Sequence, residues 1–201
     1  MSTPSTRRLA LFIKPLWFLL CLMPFLWLLL NALELAGPGL GADPIEAIQD
    51  ETGVWGLRLL LMTLAITPLR HLTGIIWLTQ LRRMTGLFAL FYASLHFSNY
   101  LTLDQGFDWG EIIEDILERP FITLGTLALL CMIPLGVTST RGWRRRLGKR
   151  WNMLHRLVYP IGILTCWHFW WQVKEDITEP AIYAGILAVL LIWRLPAVRR
   201  R

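Results

Sequence analysis

Long apolar segments dominate the pattern of residues along the chain, and short charged or polar stretches separate them. Each segment approaches the roughly 20 residues that a helix needs to cross about 30 Å of hydrocarbon, at about 1.5 Å per residue. The pattern predicts an all-α membrane protein, a bundle of about six transmembrane helices in a single domain over residues 1–201, with no room for a soluble catalytic domain. The predicted spans are 10–33, 53–69, 84–103, 121–138, 152–172 and 180–195.

The composition agrees with this class. Hydrophobic residues make up 55% of the chain and the mean hydropathy is +0.48, which is more apolar than a soluble domain of 201 residues. The net charge of +6 would suggest nucleic acid for a soluble protein. Here the distribution of the charges gives a different explanation.

Acidic and basic residues separate onto opposite sides of the predicted membrane. All 14 acidic residues follow the first, third or fifth span, where Arg119 and Lys174 are the only bases. The other side carries the basic clusters, including the segment 141–150 and the tail 199–201. By the positive-inside rule the basic side is cytoplasmic, so both termini are predicted to be cytoplasmic. Loop bias therefore accounts for the net charge without a nucleic-acid partner.

One predicted outer loop has the pattern of an amphipathic helix. In DWGEIIEDILER, residues 108–119, the apolar residues recur at helical spacing and the other face is acidic. Such a helix can lie on the outer membrane surface or dock a partner with a positive surface. The pattern leaves both alternatives open.

Three of the four histidines fall inside predicted spans. An imidazole without a partner in hydrocarbon costs several kcal/mol, so each of these rings needs something to bind. His96 lies 12 residues into the third span, about 18 Å from its inner end. His168 lies 13 residues beyond His155 in the fifth span, about 20 Å higher. Because both spans enter from the same side, His96 and His168 are predicted at similar depth toward the outside.

Two neutral imidazoles at one depth on neighbouring helices can bind a metal centre between them. Zinc takes four ligands, or three and a water, whereas haem takes two axial ligands and its apolar faces suit a helix bundle. We therefore predict that His96 and His168 are the axial ligands of one outer haem. The alternative, that each ring only forms a hydrogen bond to a neighbouring helix, stays open at this point.

His155 is predicted as an inner haem ligand or a cofactor contact. In an ideal helix, His155 points about 140° away from the direction of His168. The two rings can therefore face one stack of two haems only if the helix is distorted between them, and Pro160 is a cause of such a distortion. A matching ligand on the third span would fall at Arg82 or Arg83, and arginine suits a propionate or phosphate better than iron. Arg82, Arg83 and Arg156 are predicted to contact a propionate or a phosphate. His71 is interpreted as a loop histidine at the membrane surface, with a role as haem ligand as the alternative.

The chain resembles a known family in the segments around these histidines. LHFSNY around His96, LGKRWNMLHRLVY around His155 and CWHFWW around His168 resemble the ferric-reductase-type transmembrane domain. GADPIEAIQDETG, LAITPLR, RRMTGLFALFYASLH and PFITLG narrow the resemblance to the haem-binding membrane subunits of bacterial periplasmic methionine sulfoxide reductase systems, the MsrQ/YedZ family. The resemblance covers roughly residues 10–195, and the family's haem-associated histidines carry over onto His96, His155 and His168.

The resemblance implies a b-type cytochrome of the bacterial inner membrane that contains haem b and FMN. Such a subunit takes electrons from the quinone pool and passes them to a periplasmic molybdopterin-containing catalytic subunit, with which it forms a heterodimer. It is an electron-transfer subunit rather than the catalytic one. The ferric-reductase relatives carry two histidines on each of two helices, whereas the third span here has only His96, which puts a two-haem arrangement in doubt.

Two other functions remain as alternatives. One is a stand-alone ferric or metal reductase, against which the missing flavin and nicotinamide domain counts. The other is a small transporter or assembly factor without haem, whose histidines relay protons. Transporters often have internal repeats with broken helices, and the sequence pattern shows no such repeat.

Overall fold

The computed structural model describes residues 4–35, 37, 39–173 and 176–195, and every regular element in these ranges is helical. The predicted all-α class is confirmed. Lys174, Glu175 and the basic tail 199–201, which the charge argument uses, lie outside the described residues. The helices are α1 (Pro4–Ala32), α2 (Pro44–Thr73), α3 (Arg82–Asn99), α4 (Trp109–Glu118), α5 (Pro120–Val137), α6 (Arg141–Leu147), α7 (Lys149–Leu154), α8 (Val158–Gln172) and α9 (Thr178–Ile192).

Three helices of the described residues are long and apolar enough to cross a membrane. They are Leu11–Ala32, Pro44–Thr73 and Pro120–Val137, and α9 is a shorter apolar helix. Side chains along α1 are mostly exposed, for example Leu11 at 68% and Phe12 at 79%, as expected for a helix that faces lipid. The chain is therefore a membrane protein, while the count of six spans and the cytoplasmic position of the termini remain predictions.

The second predicted span, 53–69, is shorter than the helix that contains it. Helix α2 begins at Pro44, where Asp43 caps it by accepting a hydrogen bond from the Glu46 N–H, and it ends at Gly74 with φ 69°. Hydropathy detects the part of a helix that suits hydrocarbon, and the first turns of α2 are acidic. The N-cap aspartate followed by proline at the first helical position is the sequence signal for the true start.

The fifth predicted span, 152–172, is not one continuous helix. Helix α7 ends at Leu154, a 3₁₀ turn covers His155–Leu157, and α8 begins at Val158. Pro160 has no N–H to donate to the carbonyl of Arg156, and its ring crowds that carbonyl, so the backbone tightens just before it. The predicted distortion between His155 and His168 is confirmed, and it lies before the proline.

The chain divides into two compact units, Met1–Asp104 and Gln105–Arg201. In the first unit, α2 and α3 form an antiparallel hairpin, and α1 packs against both. The buried Tyr92 hydroxyl ties α1 to α3, because it accepts from the Phe25 N–H at 2.9 Å and donates to the Cys21 carbonyl at 2.9 Å. Helix α3 continues into a π-helical turn at Tyr100–Asp104, so the residues of the predicted span 84–103 are helical, while their crossing of the membrane remains a prediction.

In the second unit, α5 packs along α8 and α8 packs along α9. The predicted amphipathic helix over 108–119 is confirmed as α4, capped by the Asp108 carboxylate, which accepts from the Gly110 and Glu111 N–H groups. Ile112 is buried, whereas Trp109 and Leu117 are exposed at 60% and 77%. Much of the apolar face of α4 is therefore open to lipid or to a partner.

Candidate functional site

His96 lies near the end of α3, and its ring reaches the first turns of α2. Its Nδ1 is 2.9 Å from the carbonyl oxygen of Gln49. A carbonyl only accepts, so Nδ1 carries the proton and Nε2 carries the lone pair. The side-chain amide of Gln49 supports the same tautomer, because its Nε2 is a donor and lies 3.2 Å from Nε2 of His96. The hairpin therefore fixes both the orientation and the tautomer of this imidazole.

Asn99 extends the polar contacts around His96. Its Nδ2 donates to the side-chain oxygen of Gln49 at 2.6 Å and to the carbonyl of Ile45 at 3.2 Å. Asn99 is 5% exposed, and its Oδ1 is buried without a hydrogen-bond partner in the described part of the chain. A buried amide oxygen of this kind is costly in a membrane protein, so this end of the α2–α3 hairpin is a polar site rather than ordinary packing.

His168 occupies the corresponding position in the second unit. It lies near the end of α8, and its Nδ1 is 2.7 Å from the carbonyl oxygen of Phe121 in the first turn of α5. The same reasoning places the proton on Nδ1 and the lone pair on Nε2. The rings of Phe121 and His168 lie 6.2 Å apart between centroids.

The two histidines share a local geometry that the sequence analysis missed. In both helix pairs, α2 with α3 and α5 with α8, the histidine follows its carbonyl partner by 47 residues. In both, a glycine stands four residues after the carbonyl: Gly53 after Gln49, and Gly125 after Phe121. A Cβ added to Gly53 would lie 3.0 Å from Nδ1 and Cε1 of His96, and one added to Gly125 would lie 2.9 Å from the same atoms of His168. The equal spacings are a sequence signal for this correspondence.

His155 is placed differently. Its Nε2 lies 3.1 Å from Oγ1 of Thr138, and this hydroxyl donates to the Pro134 carbonyl at 2.6 Å. Because its proton is used there, the hydroxyl accepts from His155, so Nε2 carries the proton in this ring. The Trp151 ring stacks on His155 at 3.9 Å and 25°, and its Nε1 donates to the Thr138 carbonyl at 2.9 Å. His155 therefore holds the opposite tautomer to His96 and His168.

The remaining predicted site residues are exposed. His71 lies in the last turn of α2, Arg82 and Arg83 lie in the first turn of α3, and Arg156 lies beside His155 in the 3₁₀ turn. From the sequence, Arg82, Arg83 and Arg156 are interpreted as anion contacts. Their proposed use toward a propionate or phosphate remains a prediction.

Comparison with known proteins identifies the family of this chain. The family described as "Ferric reductase like transmembrane component" matches residues 52–166, a segment that contains His96, His155 and both glycines. A protein of Xanthomonas axonopodis pv. citri is 56% identical over 169 residues, which cover 84% of this chain and 78% of the relative. A protein of Rhodospirillum rubrum is 53% identical over 186 residues, covering 92% of this chain and 88% of the relative. Both relatives bear the name "Protein-methionine-sulfoxide reductase heme-binding subunit MsrQ". The chain belongs to the ferric-reductase-like transmembrane family and, within it, to the MsrQ family.

Proposed function

We propose that this chain binds haem b and is the electron-carrying membrane subunit of a protein-methionine-sulfoxide reductase. The names of the relatives support this proposal, since they describe heme-binding subunits of that reductase. The observation that carries it in this chain is the contact of two histidine rings with backbone carbonyls. His96 and His168 each direct Nδ1 to a backbone carbonyl, which leaves the lone pair on Nε2.

The donor chemistry fits a haem. Imidazole ligands of metal centres commonly donate the second ring N–H to a carbonyl, which fixes the ring and raises its basicity. His96 and His168 have this arrangement before any iron is considered. When bound, a haem supplies one-electron transfer between ferric and ferrous iron. The similar depth predicted for the two rings suggests that they bind one haem. The haem count per chain tests this prediction.

The surrounding residues hold and shield these rings. Gln49 keeps His96 oriented through its carbonyl, while its side-chain amide lies at Nε2 and has to rotate for an axial bond to form there. His155 is held by Thr138 and Trp151 with its proton on Nε2. To ligate through Nε2 it must give up the bond to Thr138, so we propose that it is the weaker ligand or a cofactor contact. The exposed guanidinium groups of Arg82, Arg83 and Arg156 are proposed partners for a propionate or phosphate.

The proposed route of the electrons combines the chemistry of sulfoxide reduction with what the family resemblance implies. Reduction of a sulfoxide takes two electrons and two protons and releases water, so a one-electron carrier must act twice for each product. We propose that the electrons come from the quinone pool, with FMN as a further cofactor, and leave to a periplasmic molybdopterin-containing subunit. The concentration of acidic residues on one predicted side supports an outward exit in the inner membrane, with both termini cytoplasmic.

The test is the reduced-minus-oxidised visible spectrum of the detergent-purified chain, with haem quantified per chain. We expect a b-type spectrum. His96→Ala and His168→Ala should each abolish the outer haem while the protein still inserts, and His155→Ala should cause a smaller or selective loss. His71→Ala is the matched control, since this exposed ring should leave haem content unchanged. A colourless wild-type protein from cells supplied with haem would refute haem binding, and full haem in either His96→Ala or His168→Ala would refute that ligand.

A further inference from the structure

We propose that Gly53 and Gly125 are positioning residues for the two histidines. Each glycine leaves the space in which an imidazole lies against the helix carbonyl four residues earlier, and so sets the direction of Nε2. This inference rests on the proposed haem binding, because a fixed Nε2 matters most where it ligates iron. The two glycines act through the histidine rings, because glycine has no side chain that could bind iron or a proton.

The need for glycine follows from helix geometry. In an α-helix the carbonyl of residue i points at the N–H of residue i+4. That carbonyl has a second lone pair, and a side chain from a neighbouring helix that approaches it must pass the Cα of residue i+4. His96 approaches the Gln49 carbonyl in this way beside Gly53, and His168 approaches the Phe121 carbonyl beside Gly125. A side chain at either glycine would occupy the path of the ring.

The distances show that a methyl group at either position would displace the imidazole. At Gly125 an added Cβ would lie 2.9 Å from Nδ1 and Cε1 of His168 and 3.4 Å from its Cγ. At Gly53 the corresponding distances to Nδ1 and Cε1 of His96 are 3.0 Å. The ring would have to move, and the atom that faces the methyl group is the same Nδ1 that bonds the carbonyl. An alanine at either position therefore acts directly on the hydrogen bond that orients the ligand.

Gly56 and Gly185 are helical glycines that do not have this geometry. At Gly56, one turn further along α2, the nearest atom to an added Cβ is the Ala93 backbone nitrogen at 3.5 Å, which is ordinary contact. At Gly185 in α9 nothing lies within 4 Å. Because alanine is a better helix former than glycine, substitution at Gly56 or Gly185 should be neutral or favourable. These two positions are matched controls, one in each unit.

The experiment compares Gly53→Ala and Gly125→Ala with Gly56→Ala and Gly185→Ala in the full chain. The readouts are haem affinity, the midpoint potential of the haem, and the g values of the ferric haem by low-temperature electron paramagnetic resonance. Loss of the Nδ1 hydrogen bond lowers the basicity of the imidazole. We expect about 10–100-fold weaker haem binding in the first pair. The haem that remains should have a raised potential and shifted g values, whereas the control pair should match the wild type.

The outcomes separate this proposal from the proposed function. If the wild type binds haem and Gly53→Ala and Gly125→Ala match the controls in affinity, potential and g values, the positioning role is refuted while haem binding stands. If the wild type binds no haem, the proposed function fails and this inference fails with it. The resonance signal arises only from haem-loaded protein, so a lower yield of a variant does not remove the readout.

A second measurement needs no glycine variant. ¹⁵N NMR of the histidine-labelled, haem-free full chain distinguishes the two ring tautomers. We expect the Nδ1–H form for His96 and His168 and the Nε2–H form for His155. The opposite form at His96 and His168 would overturn the proposal, because the carbonyl contact would then not orient the rings.

Discussion

The Tyr92 hydroxyl joins two groups of α1 that belong to one helical turn. The Phe25 N–H and the Cys21 carbonyl are four residues apart, and the hydroxyl contacts both at 2.9 Å beside Pro24. A side chain that inserts at such a point commonly accompanies a bend in a helix. Tyr92 is only 1% exposed, so water does not replace the hydroxyl when it is removed. Tyr92→Phe therefore removes two buried hydrogen bonds and leaves the aromatic ring in place.

The expected cost follows from these two bonds. Side-chain hydrogen bonds in membrane proteins contribute about 0.6 kcal/mol on average and about 1.7 at most. The loss of two bonds should lower the free energy of unfolding by about 1–3 kcal/mol. This holds if the Phe25 N–H and the Cys21 carbonyl do not form a direct hydrogen bond in the variant. The assay is reversible unfolding in mixed detergent micelles, with the free energy of unfolding compared between Tyr92→Phe and Tyr159→Phe. The Tyr159 ring contacts Arg194 through its face, and phenylalanine retains that contact. Equal stability of the two variants would refute the bridging role of the hydroxyl.

Two further predictions concern side-chain hydrogen bonds of the second unit. Thr138→Val removes the acceptor for His155 Nε2, so it should cost about 0.5–1.5 kcal/mol and shift the ¹⁵N signals of His155 away from the Nε2–H form. Thr126→Val is its control: the Thr126 hydroxyl is buried without a partner in the described residues, so that variant should be neutral or stabilising, and the reverse order would contradict the assignment. Asp108→Ala removes the cap of α4 and should cost about 1 kcal/mol, seen as faster hydrogen exchange at Gly110 and Glu111. Unchanged exchange there relative to Asp108→Asn would show that the cap is not used.

The sequence predicts a helix and its bounds well where apolar residues recur at helical spacing. Helix α4 is such a case, because its apolar positions and the capping aspartate both lie in the pattern of residues 108–119. The start of α2 does not follow from hydropathy, since its first turns carry acidic residues that suit water. The 3₁₀ turn at His155–Leu157 has a local cause in Pro160, but its position depends on which backbone carbonyls lose their partners. Apolar length therefore predicts the presence of the helices better than their ends.

The partners of the histidines could not be predicted from residue types, because they are backbone carbonyls. Every residue has one, and only the packing of two helices decides which carbonyl is within reach. The glycines were the accessible signal, since Gly53 and Gly125 stand at the same distance in sequence from His96 and His168. Many glycines in a membrane protein serve close helix packing, so the spacing acquires meaning only once the ring contacts are known. The matching contacts of His96 and His168 do not support the transporter alternative. In transporters the corresponding positions of the repeats are broken helices, whereas here they are single side-chain contacts.

The sequence analysis treated a hydrogen-bonded histidine and a haem-ligating histidine as competing interpretations. An imidazole has two nitrogens, and the structure uses them separately. Nδ1 of His96 and of His168 makes the hydrogen bond that a buried ring requires, and this same bond places the lone pair on Nε2. The bond at Nδ1 offsets part of the cost of burying the ring, and at His96 the Gln49 side-chain amide, 3.2 Å from Nε2, must still move before a metal binds there. His155 illustrates the opposite case, because its bond to Thr138 uses Nε2. The nitrogen that donates therefore separates His96 and His168, which donate through Nδ1, from His155, which donates through Nε2.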